Sequence, residues 1–277
     1  MSRQVVLPRL ELRPYVRNFM MSDFASLDVH LPASIDVQIV VYLRGQGFLL
    51  EDKTFDRKIP TAFFAGPSLF PRRFRVEPGS RFIAATFRPS GFFSCFGIPV
   101  SVLNEQLVPL DCIVRSHEAA SLLDELYQNK NDELLIHALE KFLLQSIFAN
   151  RNEEAYLPVL SLERLLMPAT EIARAMDIST RQLERRFLIR YGVSLRDYRR
   201  ISRFSAALAG LMHGGAQYGS LAQTAVDAQY VDQSHFTKDF RQFVGATPGH
   251  FLKARRESDS IYHLWQLNPE ELQSYRD

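Results

Sequence analysis

The feature that constrains this chain most is an internal repeat in its C-terminal half. Apolar residues four positions apart lie on one face of a helix. A short helical stretch lies before each copy of the repeat, and a tight turn, at 177–179 in the first and 229–232 in the second, separates the two. Each copy is therefore predicted to fold as helix, turn, helix. Six positions recur at a constant offset of 53 residues: Leu183, Phe187, Tyr191, Gly192, Ser194 and Tyr198 correspond to Phe236, Phe240, Val244, Gly245, Thr247 and Phe251.

Two polar patterns mark where the second helix of each unit begins. Ser179, with Gln182 three residues later, has the spacing of a capping box. Asp232 is placed to cap the corresponding helix of the second unit. The predicted buried faces are Leu183, Phe187 and Leu188 in the first helix and Phe236, Phe240 and Phe243 in the second.

Polar side chains occupy the opposite face at the start of both helices. A helix-turn-helix presents the first residues of its second helix to base edges in the major groove. Arginine can bridge guanine O6 and N7 there, and glutamate can accept from cytosine N4. An internal network between Glu184 and neighbouring arginines is the alternative. The candidate base-facing residues are Thr180, Arg181, Glu184 and Arg185 in the first unit and Ser234, His235 and Lys238 in the second.

The segment between the units is predicted to form one long helix, capped by Ser194 and ended by Gly214 and Gly215. Its roughly 19 residues would span about 29 Å at 1.5 Å per residue. Successive major grooves on one face of DNA lie about 34 Å apart, so the helix can hold two recognition helices at nearly that separation. The candidate phosphate contacts are Arg186, Arg190, Arg196, Arg199 and Arg200.

The positive charge of the chain is concentrated in this region. Residues 170–256 carry 14 Lys and Arg against 7 Asp and Glu, a net charge of +7, whereas the whole chain carries +2. Such a concentration is typical of a polyanion-binding domain. A solvated basic face on an ordinary helical domain would give the same count.

These segments resemble the DNA-binding half of the AraC/XylS family of bacterial transcription regulators. The similarity is carried by ISTRQLERRFLIRYGVSLRDYRR at 178–200 and YVDQSHFTKDFRQFVGATPGHF at 230–251. Upstream, LRPYVRNFM, HLPASIDVQIVVYL, AGPS, FRPSGFF and VPLD look like the β-rich sensor half of one subgroup. The resemblance implies two helix-turn-helix units that bind promoter DNA, and an N-terminal domain that senses an effector or mediates dimerisation.

Two residues depart from the family pattern. Asp177 and Gln229 stand in the tight turns, where the family usually has glycine. A left-handed backbone costs a non-glycine residue about 1 kcal/mol, and aspartate tolerates it better than glutamine. The second unit is therefore expected to be less stable than the first, or to be set at a different angle.

Residues 1–100 are predicted to be β-structure. Short runs at 35–43, 47–50, 61–65, 73–76 and 81–87 are separated by turn residues, which favours a barrel or a sandwich. Eleven phenylalanines between 48 and 96 either fill the core or line an apolar effector cavity, for which Phe63, Phe74, Phe82 and Phe87 are candidates. On one strand, Arg72, Arg73 and Arg75 either pair with an anionic group or form a solvated edge.

Two helices follow, capped by Ser116 and Asn131 and ending near Gln128 and Ala149. Such a hairpin packs on the β-domain or forms a homodimer through helices 117–149. The expected fold class is α+β: a β-barrel or sandwich with a helical hairpin over 1–150, a linker at 150–154, an all-α double helix-turn-helix domain over 155–256, and an acidic tail over 257–277.

The sequence disfavours an enzyme. A metal-dependent barrel needs clustered histidines and a carboxylate, and the first 150 residues have only His30, His117 and His137. Two cysteines, Cys95 and Cys112, cannot supply four thiolates for zinc. We therefore expect no catalytic residue, metal or cofactor. With no secretion signal and no apolar run of about 18 residues, a reduced cytoplasmic protein without a membrane span is expected.

The expected partners are double-stranded promoter DNA, RNA polymerase and a small, partly apolar effector. The predicted function is that of a sequence-specific DNA-binding regulator whose two recognition helices enter successive major grooves. The alternative is a non-enzymatic interaction or ligand-sensing protein that retains a degenerate repeat, and Gln229 is its main support.

Overall fold

The computed structural model describes residues 2–24, 28–52, 55–150, 164, 167–213 and 221–256. Within these residues the chain is α+β, with a β-rich N-terminal domain followed by a helical C-terminal domain, which confirms the expected class. Most of the predicted linker at 150–154, the glycine pair Gly214 and Gly215, and the tail at 257–277 lie outside the described residues.

Two antiparallel sheets form the N-terminal domain. Their strands are β1 (Ser2–Val6), β2 (Val16–Asp23), β3 (Asp28–Leu31), β4 (Gln38–Arg44), β5 (Gly47–Asp52), β6 (Phe55–Lys58), β7 (Ala62–Ala65), β8 (Arg72–Val76), β9 (Arg81–Phe87) and β10 (Leu107–Pro109). The larger sheet has the order β1-β2-β9-β4-β7-β10, and the smaller has the order β3-β8-β5-β6. Across the described strands neither sheet closes on itself, so the sandwich alternative is correct and the barrel alternative is wrong.

Strand β4 shows how the larger sheet separates two apolar layers. Ile39 and Val41 belong to the core between this sheet and the helices. Val40 and Tyr42 face the smaller sheet, where they share an apolar cluster with Phe74 of β8. Successive side chains of a strand point to opposite faces, and a strand that is buried on both faces has a continuous apolar run. The sequence of β4, QIVVYLR, has such a run.

Three helices cover the outer face of the larger sheet: α1 (Gly91–Phe96), α2 (Ser116–Gln128) and α3 (Asp132–Ala149). The predicted hairpin is thus present, and the Asn131 side chain caps α3 by accepting from Glu133 N at 2.8 Å. At the start of α2 the cap position is Arg115 rather than Ser116, without a side-chain capping bond. Leu134 and Phe148 of α3 are 51% and 59% exposed. A homodimer through helices 117–149 stays a prediction.

The described part of the C-terminal domain contains the helices α4 (Ala169–Ala175), α5 (Thr180–Tyr191), α6 (Leu195–His213), α7 (Leu221–Asp227), α8 (Gln233–Val244) and α9 (Pro248–Arg256). Helices α4 and α5 make the first predicted helix-turn-helix, α7 and α8 make the second, and α6 connects them. Each unit has its own apolar core, and α6 contributes to both. No helix among the described residues is both long and apolar enough to cross a bilayer.

The C-terminal domain rests on the N-terminal domain through the ends of α5 and α8. The last carbonyls of a helix lack partners within it, and N-terminal residues supply donors here. Ala33 N donates to Phe243 O at 2.8 Å, and His30 Nε2 lies 2.7 Å from Val244 O. The Asn104 side chain donates to the carbonyl of Gly192, which ends α5. The second helix of each unit, α5 or α8, is therefore held at its C-terminal end by the β-rich domain.

Gly192 and Gly245 allow this docking to be tested, because both end a helix with φ near +77°. A Cβ on Gly192 would lie 2.7 Å from Asn104 Oδ1 and 2.8 Å from Val100 Cγ1, whereas one on Gly245 would be no closer than 3.4 Å to the neighbouring domain. Gly245→Ala should lower the free energy of unfolding by about 1 kcal/mol through backbone strain alone. Gly192→Ala should cost about 1–3 kcal/mol more through overpacking. Equal losses in urea unfolding would contradict the observed domain contact.

Candidate nucleic-acid interface

Helix α5 begins as the sequence predicts. Ser179 N donates to Gln182 Oε1 at 2.9 Å, and Gln182 N donates to Ser179 Oγ at 3.2 Å, which completes the capping box. Leu183 and Phe187 are fully buried beneath the helix. The cap and these two anchors fix the direction of the first turns of α5.

The candidate base-facing residues of the first unit share one exposed face of α5. The three charged ones form no hydrogen bond or ion pair with any residue that the structure describes. The internal Glu–Arg network, the alternative from sequence, is thus not formed there. This face keeps its donors and its acceptor available for a ligand such as DNA. Its members are Thr180, Arg181, Glu184 and Arg185.

The buried face of α5 differs from the prediction at two residues. Leu188, expected in the core, is 44% exposed, and Arg190, a candidate phosphate contact, is 6% exposed. The Arg190 guanidinium lies 5.2 Å from the centre of the Phe93 ring, and burial lowers the pKa of this guanidinium. The cause is the docking of α5 on the N-terminal domain, which buries the side of the helix that carries Arg190. In this arrangement Arg190 contacts protein rather than solvent.

Helix α8 of the second unit begins with the predicted aspartate cap. The Asp232 side chain accepts from His235 N at 2.7 Å. Ser234 and Lys238 are exposed, as a base-facing role requires. His235 is only partly exposed, because its ring packs edge-on against Tyr230 with centroids 5.3 Å apart. The three predicted residues thus lie on one surface, with His235 held more firmly than the other two.

Both tight turns adopt the left-handed conformation that the family's glycine would supply. Asp177 has φ 51° and Gln229 has φ 60°. Matching hydrogen bonds close the turns: Ile178 N donates to Ala173 O at 3.0 Å in the first unit, and Tyr230 N donates to Ala225 O at 2.8 Å in the second. The expected difference in angle between the units is therefore not seen at the turns. The left-handed backbone at Gln229 still carries the conformational free-energy cost that a non-glycine residue has there.

Of the five candidate phosphate contacts, Arg186 and Arg196 are exposed. Besides the buried Arg190, two others are engaged within the protein. The Arg199 side chain donates to the carbonyl of Met167. Arg200 Nη2 donates to Asp239 Oδ1 at 2.7 Å and to Gln242 Oε1 at 2.8 Å. The sequence placed Arg199 and Arg200 near the start of α6 but could not identify these internal acceptors, which come from distant segments.

A cavity of about 760 Å³ lies between the two sheets and extends to helix α6. Three of the four predicted phenylalanines line it: Phe63, Phe74 and Phe82. Phe87 lies instead in the core beneath the helices, where it packs against Phe64 and Phe92. Helix α6 supplies part of the wall through Phe204, Leu208 and Met212, among others. The apolar spacing of α6 indicated packing, but no sequence pattern indicated that this helix forms part of a cavity wall.

One guanidinium gives this cavity a polar end. Alternation on β8 turns Arg72 inward and leaves Arg73 and Arg75 exposed. Arg72 Nη2 is buried without a hydrogen-bond partner among the described residues, because the nearest carboxylate oxygen, Oε2 of Glu105, is 3.8 Å away. Glu105 accepts instead from Ser68 Oγ at 2.5 Å and from Leu69 N at 2.6 Å. Burial lowers the pKa of Arg72, and burial also raises the pKa of the lining Tyr42 to about 12.

Comparison with known proteins agrees with this architecture. Residues 172–254 match the protein family described as "Helix-turn-helix domain". They form a helix-turn-helix domain, the class of domain that inserts a helix into the groove of DNA. More narrowly, the domain is of the AraC type.

Among solved structures, ToxT from Vibrio cholerae is similar, with 14% identity, a TM-score of 0.43, and coverage of 91% of this chain and 98% of that chain. ToxT bound to an unsaturated fatty acid has 14% identity, a TM-score of 0.41, and coverage of 84% and 93%. The AraC-like transcriptional activator CuxR has 15% identity, a TM-score of 0.26, and coverage of 80% and 91%. Comparison with curated proteins gave no match.

Replacing Gln229 by glycine should stabilise the second unit. Glycine adopts a positive φ without the steric cost that a side chain adds, so Gln229→Gly should raise the free energy of unfolding by about 1 kcal/mol. Asp177→Gly is the matched control and should give a smaller gain, because aspartate tolerates this conformation better. Urea unfolding of the full chain measures both. A loss of stability in Gln229→Gly would mean that the glutamine side chain makes contacts that outweigh the strain.

Proposed function

We propose that the protein is a sequence-specific DNA-binding transcription regulator. The observation that carries this proposal is the pair of matching helix-turn-helix units, each with polar side chains exposed at the start of its second helix. A helix-turn-helix uses those residues for base readout. Arg181, Glu184 and Arg185 supply donors and an acceptor in the first unit, and Ser234, His235 and Lys238 supply them in the second.

The linker helix supports simultaneous readout of successive major grooves. Helix α6 has 19 residues, and at 1.5 Å per residue it spans about 29 Å, close to the pitch of about 34 Å that separates such grooves. Arg186 and Arg196 are exposed and serve as phosphate contacts in this proposal. The degenerate-repeat alternative loses its main support, because the turn at Gln229 has the same backbone conformation and hydrogen bond as the turn at Asp177.

Arg185 offers a direct test of base readout. The full-length protein is used to select duplexes from a randomised library, and affinity is measured on the selected duplex. Arg185→Ala should weaken binding by about 1–3 kcal/mol and relax the preference at one base position. Arg115→Ala, an exposed arginine of the N-terminal domain, should change neither quantity.

Two results would contradict this assignment. Equal weakening of Arg185→Ala on every sequence would make Arg185 a phosphate contact instead. Failure of the wild-type protein to enrich any sequence, with only weak and sequence-blind binding, would favour the interaction-protein alternative.

We also propose that the cavity between the sheets binds a small effector with an apolar body and an anionic group. Its volume, about 760 Å³, lies in the range of about 300–1,000 Å³ that is typical of ligand sites. Phe63, Phe74 and Phe82 provide apolar walls, and Nη2 of Arg72, which is buried without a hydrogen-bond partner among the described residues, is a donor for an anion. Because α6 forms part of the wall, an effector there contacts the helix that carries both DNA-reading units.

Octanoate and 1-octanol are suitable probes, since they share an apolar chain and differ in the anionic group. Octanoate should raise the thermal unfolding temperature more than octanol does, and Arg72→Gln should remove that difference. Arg75→Gln is the matched control, because this exposed arginine of the same strand pairs with Asp28 and Asp56. A ligand at 100 times its dissociation constant adds about 2.7 kcal/mol of stability. No stabilisation by either compound, or an unchanged preference in Arg72→Gln, would count against this site.

A further inference from the structure

Asp239 is a charged residue on the inner face of a recognition helix. It lies one turn after His235 on α8 and is only 2% exposed. Its Oδ1 accepts the Arg200 guanidinium of the linker helix at 2.7 Å. The same guanidinium donates to Gln242 at 2.8 Å and stacks 5.1 Å from the centre of the Phe243 ring. Arg200 thus ties α6 to three residues of α8.

The first unit lacks this arrangement. Under the constant offset of the repeat, Asp239 corresponds to Arg186, which is exposed. The ion pair is therefore not a general requirement of the helix-turn-helix fold. It belongs to the second unit, and it was not recognised in the sequence because Asp239 and Arg200 lie on different helices.

Stability alone does not explain a buried carboxylate at this position. Taking a carboxylate and a guanidinium out of water costs several kcal/mol per ion, and apolar replacements of such pairs are often neutral or stabilising. The neighbouring core positions of α8, Phe236, Phe240 and Phe243, are all apolar and fully buried. The orientation that the pair imposes on α8 is a reason for a charged pair here that stability does not supply.

The second oxygen of Asp239 faces a predicted DNA contact. Oδ2 is buried and lies 4.0 Å from His235 Nε2, and the Tyr230 hydroxyl also interacts with this carboxylate. The Tyr230 ring limits the imidazole on another side. A carboxylate beside one ring nitrogen favours the proton on that nitrogen and leaves the other nitrogen as the acceptor. At 4.0 Å the two groups are not hydrogen-bonded, so the carboxylate acts on the imidazole through its charge.

We propose that Asp239, held by Arg200, is a positioning residue that sets the orientation of His235 for base recognition by the second unit. Arg200 in turn fixes the orientation of α8 on the linker helix and does not contact phosphate. This inference rests on the proposed DNA-binding function, and it assigns the discrimination at one base position to a residue that never touches DNA.

The test uses the full-length chain and duplexes selected by the wild-type protein from a randomised library. The variants are Asp239→Asn, which keeps the size of the side chain and an acceptor for Arg200, together with Arg200→Gln, His235→Ala and the double variant of Asp239→Asn with His235→Ala. Arg196→Gln, an exposed arginine of the same helix, is the matched control. Base preferences at every position and the salt dependence of affinity are measured for each variant. Far-ultraviolet circular dichroism and thermal unfolding report whether each variant is folded.

Asp239→Asn should reduce the preference at the position read by His235 about tenfold, the size of one base contact. It should leave the other positions unchanged and have no further effect when His235 is alanine. Arg200→Gln should weaken the preferences across the second half-site while the first half-site and the salt slope stay as in the wild type. Arg196→Gln should lower the slope of log affinity against log salt by about 0.9, as expected for one lost phosphate contact.

Three outcomes would overturn the inference. Asp239→Asn that leaves the His235 position as selective as in the wild type would overturn it, and so would Asp239→Asn that weakens all positions equally whether or not His235 is present. A fall of about 0.9 in the salt slope of Arg200→Gln, with base preferences intact, would identify a phosphate contact. If Arg200→Gln does not fold, the comparison of Asp239→Asn with and without His235 decides alone. Failure of the wild-type protein to enrich any sequence would instead refute the proposed function, and the inference with it.

Discussion

The packing of one helix, α6, connects every part of this molecule that bears on function. Tyr198 near its start lies in the core of the first unit, and Ile201, Phe204 and Leu211 lie in the core of the second. Phe204 also lines the cavity between the sheets. Because protein interiors are close-packed, a change in what fills the cavity acts on a side chain that also supports the second recognition helix. The proposed recognition helices and the proposed effector cavity therefore share contacts with α6.

The segment between β3 and β4 also connects the cavity to the second helix-turn-helix unit. Ala33 and Ser34 line the cavity, and Ala33 N also donates to the last turn of α8. His30, at the end of β3, bonds to the adjacent carbonyl of Val244. A ligand changes an equilibrium between two arrangements only to the extent that it binds one of them better. The segment at 30–34 and helix α6 are two places where an effector in the cavity would find such differential contacts.

Local patterns were sufficient to predict the elements but not their partners. The capping box at Ser179, the cap at Asp232 and the hairpin helices depend on residues a few positions apart, and all are present. The misplaced residues depend on contacts between distant segments. Arg190 is buried because the N-terminal domain covers its side of α5, Leu188 lies on the exposed side of that helix, and Phe87 faces the helical layer rather than the cavity because of its position on β9. Arg200 was predicted to contact phosphate because it is an arginine near the start of the linker helix. Only the fold reveals that Asp239 lies beside it.

The two units use charge differently, although their backbones match. In the first, Arg181, Arg185 and Arg186 are exposed, so they add long-range attraction for a polyanion that falls as salt rises. In the second, the nearest arginine of the linker helix is neutralised by Asp239, and the exposed start of α8 carries Ser234, His235 and Lys238. In the proposed function, the first unit thus offers a cluster of three exposed arginines to phosphates, whereas the second adds polar groups whose orientation is set by the fold. The two copies thus share a backbone geometry and differ in how their arginines are paired.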